Sequence, residues 1–159
     1  MLRILFCIST LLLSYCSFGQ ERLVWTGAKS YDFHEAENWN PNRVPGPQDT
    51  AYLNLVQSSD TVIINQRVQV LKLDILNGIA FISDSIIVGE RCNIKEVDVR
   101  GSLLVRAFDI DLGSENRLVL ISGNAGLRAD KIKLAFTRIQ GNLSTVSYTH
   151  LTLPTIYSV

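Results

Sequence analysis

Between Gly78 and Gly123 the chain reads GIAFISDSIIVGERCNIKEVDVRGSLLVRAFDIDLGSENRLVLISG, and this stretch decides the fold. Glycines at 78, 89, 101, 113 and 123 divide it at intervals of 11, 12, 12 and 10 residues. Between them lie short apolar strings: Ile79-Ala-Phe-Ile, Ile86-Ile-Val, Val97-Asp-Val, Leu103-Leu-Val, Phe108-Asp-Ile-Asp-Leu and Leu118-Val-Leu-Ile. Several alternate apolar with polar, which on an extended chain sends every second side chain to one face. Strands of that length with a turn every ten to twelve residues define an all-β fold.

The same rhythm extends outward. Upstream, Ala51-Tyr-Leu-Asn-Leu-Val, Thr61-Val-Ile-Ile and the Val68 to Ile75 segment are further strand candidates, and downstream Lys131-Ile-Lys-Leu-Ala-Phe continues the alternation. No part of the mature chain carries a sustained 3.6-residue apolar stripe with caps, so helix is a minor component. The strands are short, their turns nearly equal in length, and some runs are apolar throughout, as where strands stack in a closed coil. These features favour a β-solenoid, with two strand-turn units making a coil of about 22 residues. A β-sandwich is the alternative.

Both ends read differently from this middle. Arg3, the apolar run Ile4 to Tyr15 and the small residues of Ser17-Phe18-Gly19 have the layout of a signal peptide over 1–19, cleaved before Gln20. The run is too short to span a bilayer. A lipoprotein reading would acylate Cys16, but Tyr15 stands where such sites need a small residue. From Val146, Val-Ser-Tyr-Thr-His-Leu-Thr-Leu-Pro-Thr resembles the conceptual translation of a transposon-type sequencing adapter. Residues 145–159 are therefore expected to be read-through, with the reading frame cut short and His150 and Pro154 without a role. A genuine strand rich in Thr and Tyr is the alternative.

Composition narrows the function classes. Hydrophobic residues make up 47% and charged residues 19%, enough apolar material for a packed core. Lys plus Arg and Asp plus Glu number 15 each; removal of Arg3 with the leader leaves 14 against 15. So balanced a chain has no electrostatic footprint for nucleic acid or an anionic membrane. Of three cysteines, Cys7 and Cys16 fall in the leader, and Cys92 alone can form neither an internal disulfide nor a cysteine-rich zinc site. It reads as a small apolar residue near a turn.

The stretch Asn38 to Asp49 holds Pro41, Pro45, Gly46 and Pro47 and separates a region 20–50 from the coils of 51–144. Around it lie Trp25-Thr-Gly27, Asp32-Phe33, Asn38-Trp39, Pro41, Val44-Pro45 and Asp49-Thr-Ala-Tyr-Leu. This order resembles the N-terminal module of large bacterial secreted or surface β-helix (autotransporter-like) proteins. The resemblance covers about Leu23 to Leu55 and implies a right-handed parallel β-helix opened by a cap, exported to the cell surface. Trp25 and Trp39 can each bury about 150–250 Å² and so plug the exposed end of a first coil. Pro45 and Gly46 would then turn the chain into its first strand, with Asp49 bonding a backbone amide in the turn. Alternatively the two indoles form a sugar-stacking platform, which makes Trp25 and Trp39 the candidate ligand-binding residues.

Other candidate chemistry is sparse. Asp109 and Asp111 share a strand face and could bind Ca²⁺ or act on a glycan, but an outward solvated row explains them equally well. His34 stands among Asp32, Glu35 and Glu37 without a second imidazole in the genuine chain, which weighs against zinc. Asn142-Leu-Ser144 fits a glycosylation sequon that matters only in a eukaryotic secretory pathway. The expectation is a secreted or cell-surface β-helical protein of structural or adhesive role, non-enzymatic and needing no cofactor. Its partner would be an extracellular polysaccharide or a host or cell surface. The alternatives are the start of a β-helical polysaccharide lyase or glycosidase, and a carbohydrate-binding module.

Overall fold

A computed structural model describes residues 19–58, 60–114 and 118–152. The expected leader lies outside the described residues except for Gly19, as do Cys16 and Pro154. Among the described residues twelve strands follow one another: β1 (Arg22–Trp25), β2 (Trp39–Asn40), β3 (Thr50–Asn54), β4 (Thr61–Ile64), β5 (Val68–Ile82) and β6 (Ser85–Gly101). Then come β7 (Leu103–Arg106), β8 (Asp109–Leu112), β9 (Val119–Ile121), β10 (Ala125–Leu134), β11 (Thr137–Ile139) and β12 (Leu143–Thr152). Among the described residues helix is confined to two 3₁₀ turns, Ala36–Asn38 and Leu55–Gln57. Every strand pairing except β1 with β2 is parallel. That excludes a hairpin-built sandwich. The molecule is a parallel β-solenoid of about five turns.

Each coil has three sides. On the first, Leu23, Ala51, Leu73, Cys92, Ile110 and Ile132 lie in register on successive turns, all buried. Leu53, Ile75, Ile94, Leu112 and Leu134 form a second inner ladder beside them. The second side stacks Val62, Ala80, Val99, Ile121 and Ile139, and the third stacks Val68, Ile86, Val105 and Leu127. Strand alternation produces these columns: the inward residue of each pair meets its equivalents one rung, about 4.8 Å, above and below. A single turn such as 72–90 buries Leu73, Ile75, Ile82, Ile86 and Val88, each large side chain contributing roughly 1.5–3 kcal/mol. Ordering the backbone costs about 1–2 kcal/mol per residue. One coil cannot stand alone, and the stack holds because neighbours share their ladders.

Coil length varies while the ladders stay aligned. The pairs Thr50↔Lys72, Lys72↔Arg91, Arg91↔Asp109, Asp109↔Lys131 and Lys131↔His150 set turns of 22, 19, 18, 22 and 19 residues. Both 22-residue turns place their surplus at the same corner, from first side to second. Nine positions separate Leu53 from Val62 and Leu112 from Ile121, against five from Ile75 to Ala80 and from Ile94 to Val99. The next corner is constant: six positions from Val62 to Val68, Ala80 to Ile86, Val99 to Val105 and Ile121 to Leu127. The glycines therefore do not mark half-coils. Gly101 and Gly123 occupy one corner a full turn apart, whereas Gly78 and Gly113 lie at another. Three strands, not two, make each coil.

The first turn, 22–49, belongs to the stack. Its β1 runs parallel to β3, and Asp32 bridges in parallel to Ile63 on the second side. The short β2 then pairs antiparallel with the outer edge of β1, through Val24↔Asn40 and Trp25↔Trp39. An exposed strand edge invites further pairing, and a reversed two-residue strand covers this one. At the opposite end β12 continues the register of β10 from Leu143 to Thr152, so the described part of the adapter-like tail lies on the stack as its last strand. Among the described residues no helix is long and apolar enough to cross a membrane.

Candidate functional site

Aromatic residues fill the first turn. Trp25 and Trp39 meet edge to face with centroids 5.2 Å apart, and Phe33 meets Trp39 the same way at 4.9 Å. Such geometry sets the positive edge of one ring against the negative face of the other. The Trp39 Nε1–H donates to the Phe33 carbonyl at 2.7 Å, so the indole is buried with its polar atom satisfied. Trp25 is 3% exposed and Trp39 0%. Sugar stacking needs an open ring face, and in this arrangement neither indole offers one.

Asn38, noted in the sequence only as half of the Asn38-Trp39 pair, is an organiser of this turn. It is fully buried, and its side chain makes four hydrogen bonds. Its Oδ1 accepts from the Lys29 and Ser30 amides, each at 2.8 Å, and its Nδ2 donates to the Ser30 Oγ and the Asp32 carbonyl. The loop 29–32 is thereby fastened over the aromatic cluster. A buried asparagine with both ends of its amide satisfied rigidifies without a desolvation penalty left over. The available signals were the Asn38-Trp39 pair and the dense Ser, Asp and Asn content of the segment.

Asp49 occupies the turn as expected. Its Oδ2 accepts the Gly46 amide at 2.8 Å, and the Arg43 guanidinium grips both carboxylate oxygens while reaching Glu21. Arg43 holds the Asp49 carboxyl below the ordinary carboxylate range, against the opposing effect of burial. This fork of bonds ties the approach to β1 to the turn preceding β3.

The outer surface of the first side carries interleaved charge. Asp111 is 7% exposed, and its Oδ2 accepts from Arg91 and Lys95, both at 3.2 Å. Asn93, one rung away, donates to Asp74 at 3.0 Å. Asp109 and Asp111 do flank one inward residue, Ile110, but Asp111 is committed to two cations. The Asp111 Oδ1 and Asn93 Oδ1 are buried without partners. Near His34 the acids do not converge: Asp32 caps the His34 amide at 2.9 Å, and Glu37 pairs with Lys29. Among the described residues no group of three or more His, Cys, Asp and Glu is placed to hold a metal. Cys92 lies mid-strand in the inner ladder rather than near a turn, and burial pushes its thiol up to about 12.

A groove of about 600 Å³ opens on the outside of the third side, where it turns into the first. Gln69, Ile87, Arg106 and Arg128 lie there as one outward column, rung above rung. Gly89 and Ala107 leave the corner low, and the Phe108 ring stands beside it, 55% exposed. Corner backbones are fixed to one another: the Phe108 amide donates to the Glu90 carbonyl at 3.0 Å, and the Asp130 amide to the Phe108 carbonyl at 3.1 Å. The sequence could not show this groove, because Arg106 and Arg128 become neighbours only through a 22-residue turn.

A parallel β-solenoid with a filled interior, its outer faces mixing charged side chains with exposed Phe81, Leu104, Phe108 and Phe136, is the class that fold and surface define. Comparison with protein-family models, with curated proteins and with solved structures found no match.

Proposed function

We propose that this protein is an exported β-solenoid that serves at a bacterial cell surface as a structural and adhesive stalk, without catalysis of its own. The observation that supports this reading most is the unbroken inner ladder from Leu23 to Ile132, which spends the interior on rigidity. A stack built from nearest-neighbour contacts is a spacer whose length grows by one rung per turn. The hydrophobic leader and the Trp-x-Gly and Asn-Trp pattern support export. The paired acids Asp109 and Asp111 are poorly suited to acid–base work, since Arg91 and Lys95 engage Asp111.

Two measurements test the proposal. The full chain fused ahead of a reporter active only outside the cytoplasm should give reporter activity and a mature N-terminus at Gln20; an unprocessed, cytoplasmic product would refute export. Incubation of the purified chain with plant and bacterial polysaccharides should release no new reducing ends. Sustained release, abolished by Asp109→Asn or Asp111→Asn, would replace the stalk with an enzyme.

A further inference from the structure

We infer that the corner groove is a binding site for a neutral, extended polysaccharide, whose pyranose rings lie on Phe108 and whose hydroxyls are read by Gln69, Arg106 and Asp130. The groove carries both signs of charge, since the Asp130 carboxylate lines it together with Arg106 and Arg128. A polyanion would meet that carboxylate and a polycation the two guanidiniums. A sugar hydroxyl donates and accepts at once, so it needs both kinds of partner side by side. Arg128 and Asp130 are already engaged by other groups, which holds them in position as parts of the groove wall. Among the described residues no hydrogen bond or ion pair engages the exposed side chains of Gln69 and Arg106. One amide, donor and acceptor both, and one guanidinium are thus open to a ligand.

The groove's form selects an extended chain. Gln69, Ile87, Arg106 and Arg128 follow one another on successive rungs, about 4.8 Å apart along the solenoid axis. A ribbon of pyranose rings laid along that axis meets one side chain per rung, whereas a helically wound glycan leaves the track. Phe108 is 55% exposed, and covering its ring with the C–H face of a pyranose removes apolar surface from water. Gly89 and Ala107 keep the floor shallow enough for a chain to pass. A volume of about 600 Å³ is in the range that holds a ligand of di- or trisaccharide size. The hydrogen bonds linking Glu90, Phe108 and Asp130 keep the corner preformed, which lowers the cost of ordering on binding. The inference names the ligand of the adhesive function proposed above and rests on that reading only for the extracellular setting. Binding is measured on purified chain, so it fails or succeeds independently of export.

The test is calorimetric titration of the full chain with cellohexaose, xylohexaose and chitohexaose as extended neutral glycans. Maltohexaose serves as the wound neutral glycan and hexagalacturonate as the acidic one. At least one extended neutral hexaose should bind, with an affinity that added salt leaves unchanged, and the two controls should bind more weakly. Phe108→Ala should weaken binding roughly tenfold or more; Gln69→Ala and Arg106→Gln should each weaken it roughly fivefold, the worth of a hydrogen bond. Phe81→Ala removes an exposed ring from the second side and should leave affinity unchanged. Should Phe108→Ala lose its native circular dichroism, Phe108→Leu keeps the apolar bulk without the flat face and serves in its place. Failure of all three extended hexaoses to bind, tighter binding of hexagalacturonate, or equal loss in Phe81→Ala would each overturn the proposal.

Discussion

Replacing Gly101 by alanine should unfold this solenoid more readily than any other exchange of so few atoms. Gly101 closes β6 with φ at +107°, a conformation that costs a residue with a side chain about 1–3 kcal/mol. A Cβ there would fall 2.2 Å from the Ile82 carbonyl oxygen, one rung below, and backbone must move until that contact exceeds 3.0 Å. Overpacking of this kind costs about 1–3 kcal/mol, for a combined loss of about 2–6 kcal/mol. With a urea m-value of ~2 kcal/mol/M, the midpoint falls by about 1–3 M. Gly123 occupies the same corner one turn on, and its Cβ would meet the Gly101 carbonyl oxygen at 2.4 Å, but without a left-handed φ. Gly123→Ala should therefore lose only the overpacking share. Gly126→Ala has the opposite sign. Its new methyl meets only the Leu104 Cδ2, at 2.8 Å, and Leu104 is 46% exposed and free to turn. Reduced freedom of the unfolded chain then yields about 0.4–1 kcal/mol of stabilisation. Equilibrium urea melts of the three variants decide the matter. Gly101→Ala melting with the parent, or Gly126→Ala falling as far as Gly101→Ala, would refute the stacked-corner geometry.

Three further outcomes follow from the first turn and the ladder. Trp39→Ala should cost about 3–5 kcal/mol, and Trp39→Phe about 1–2 kcal/mol, through the orphaned Phe33 carbonyl; a surface-like emission maximum in the parent would contradict the burial. Cys92, its thiol pushed up to about 12 by burial and the Asp74 charge, should resist alkylation at pH 8 in the native chain and react once unfolded, as peptide mapping would record. Asp49 has a folded pKa below its unfolded value of about 4. Its stabilising contribution is thus complete above that pH and is lost as pH falls through the folded value. Asp49→Asn should be destabilised at neutral pH by about 1–3 kcal/mol, and denaturation curves of variant and parent should converge in acid; a gap that persists there would count against the Arg43 fork.

The inward residues were legible because alternation at period two needs no knowledge of neighbours. Leu73, Ile75, Ile94, Ile110 and Ile132 declare themselves from local pattern. The coil's three-sidedness was not legible, for two reasons. Corners between the first and second sides are made by Asn77 at φ 55° and Glu96 at φ 58°, and a glutamate gives no turn signal. Further, β5 and β6 pass through corners while still hydrogen-bonded, so no break in pattern marks them. The tryptophans were visible, yet their use depends on Asn38, whose four hydrogen bonds join residues up to nine positions apart. The Arg106–Arg128 pair is a product of register, and register is the quantity that uneven coil length hides.

That unevenness has its own implication. Four additional amino acids enter two of the turns at a single vertex, and every rung beyond them still lands on its partner. The scaffold therefore separates two tasks, keeping time inside while allowing improvisation outside. Foreign peptides inserted beside the exposed Val56, with the buried Leu55 left in place, should be displayed without disturbing the strands on either side.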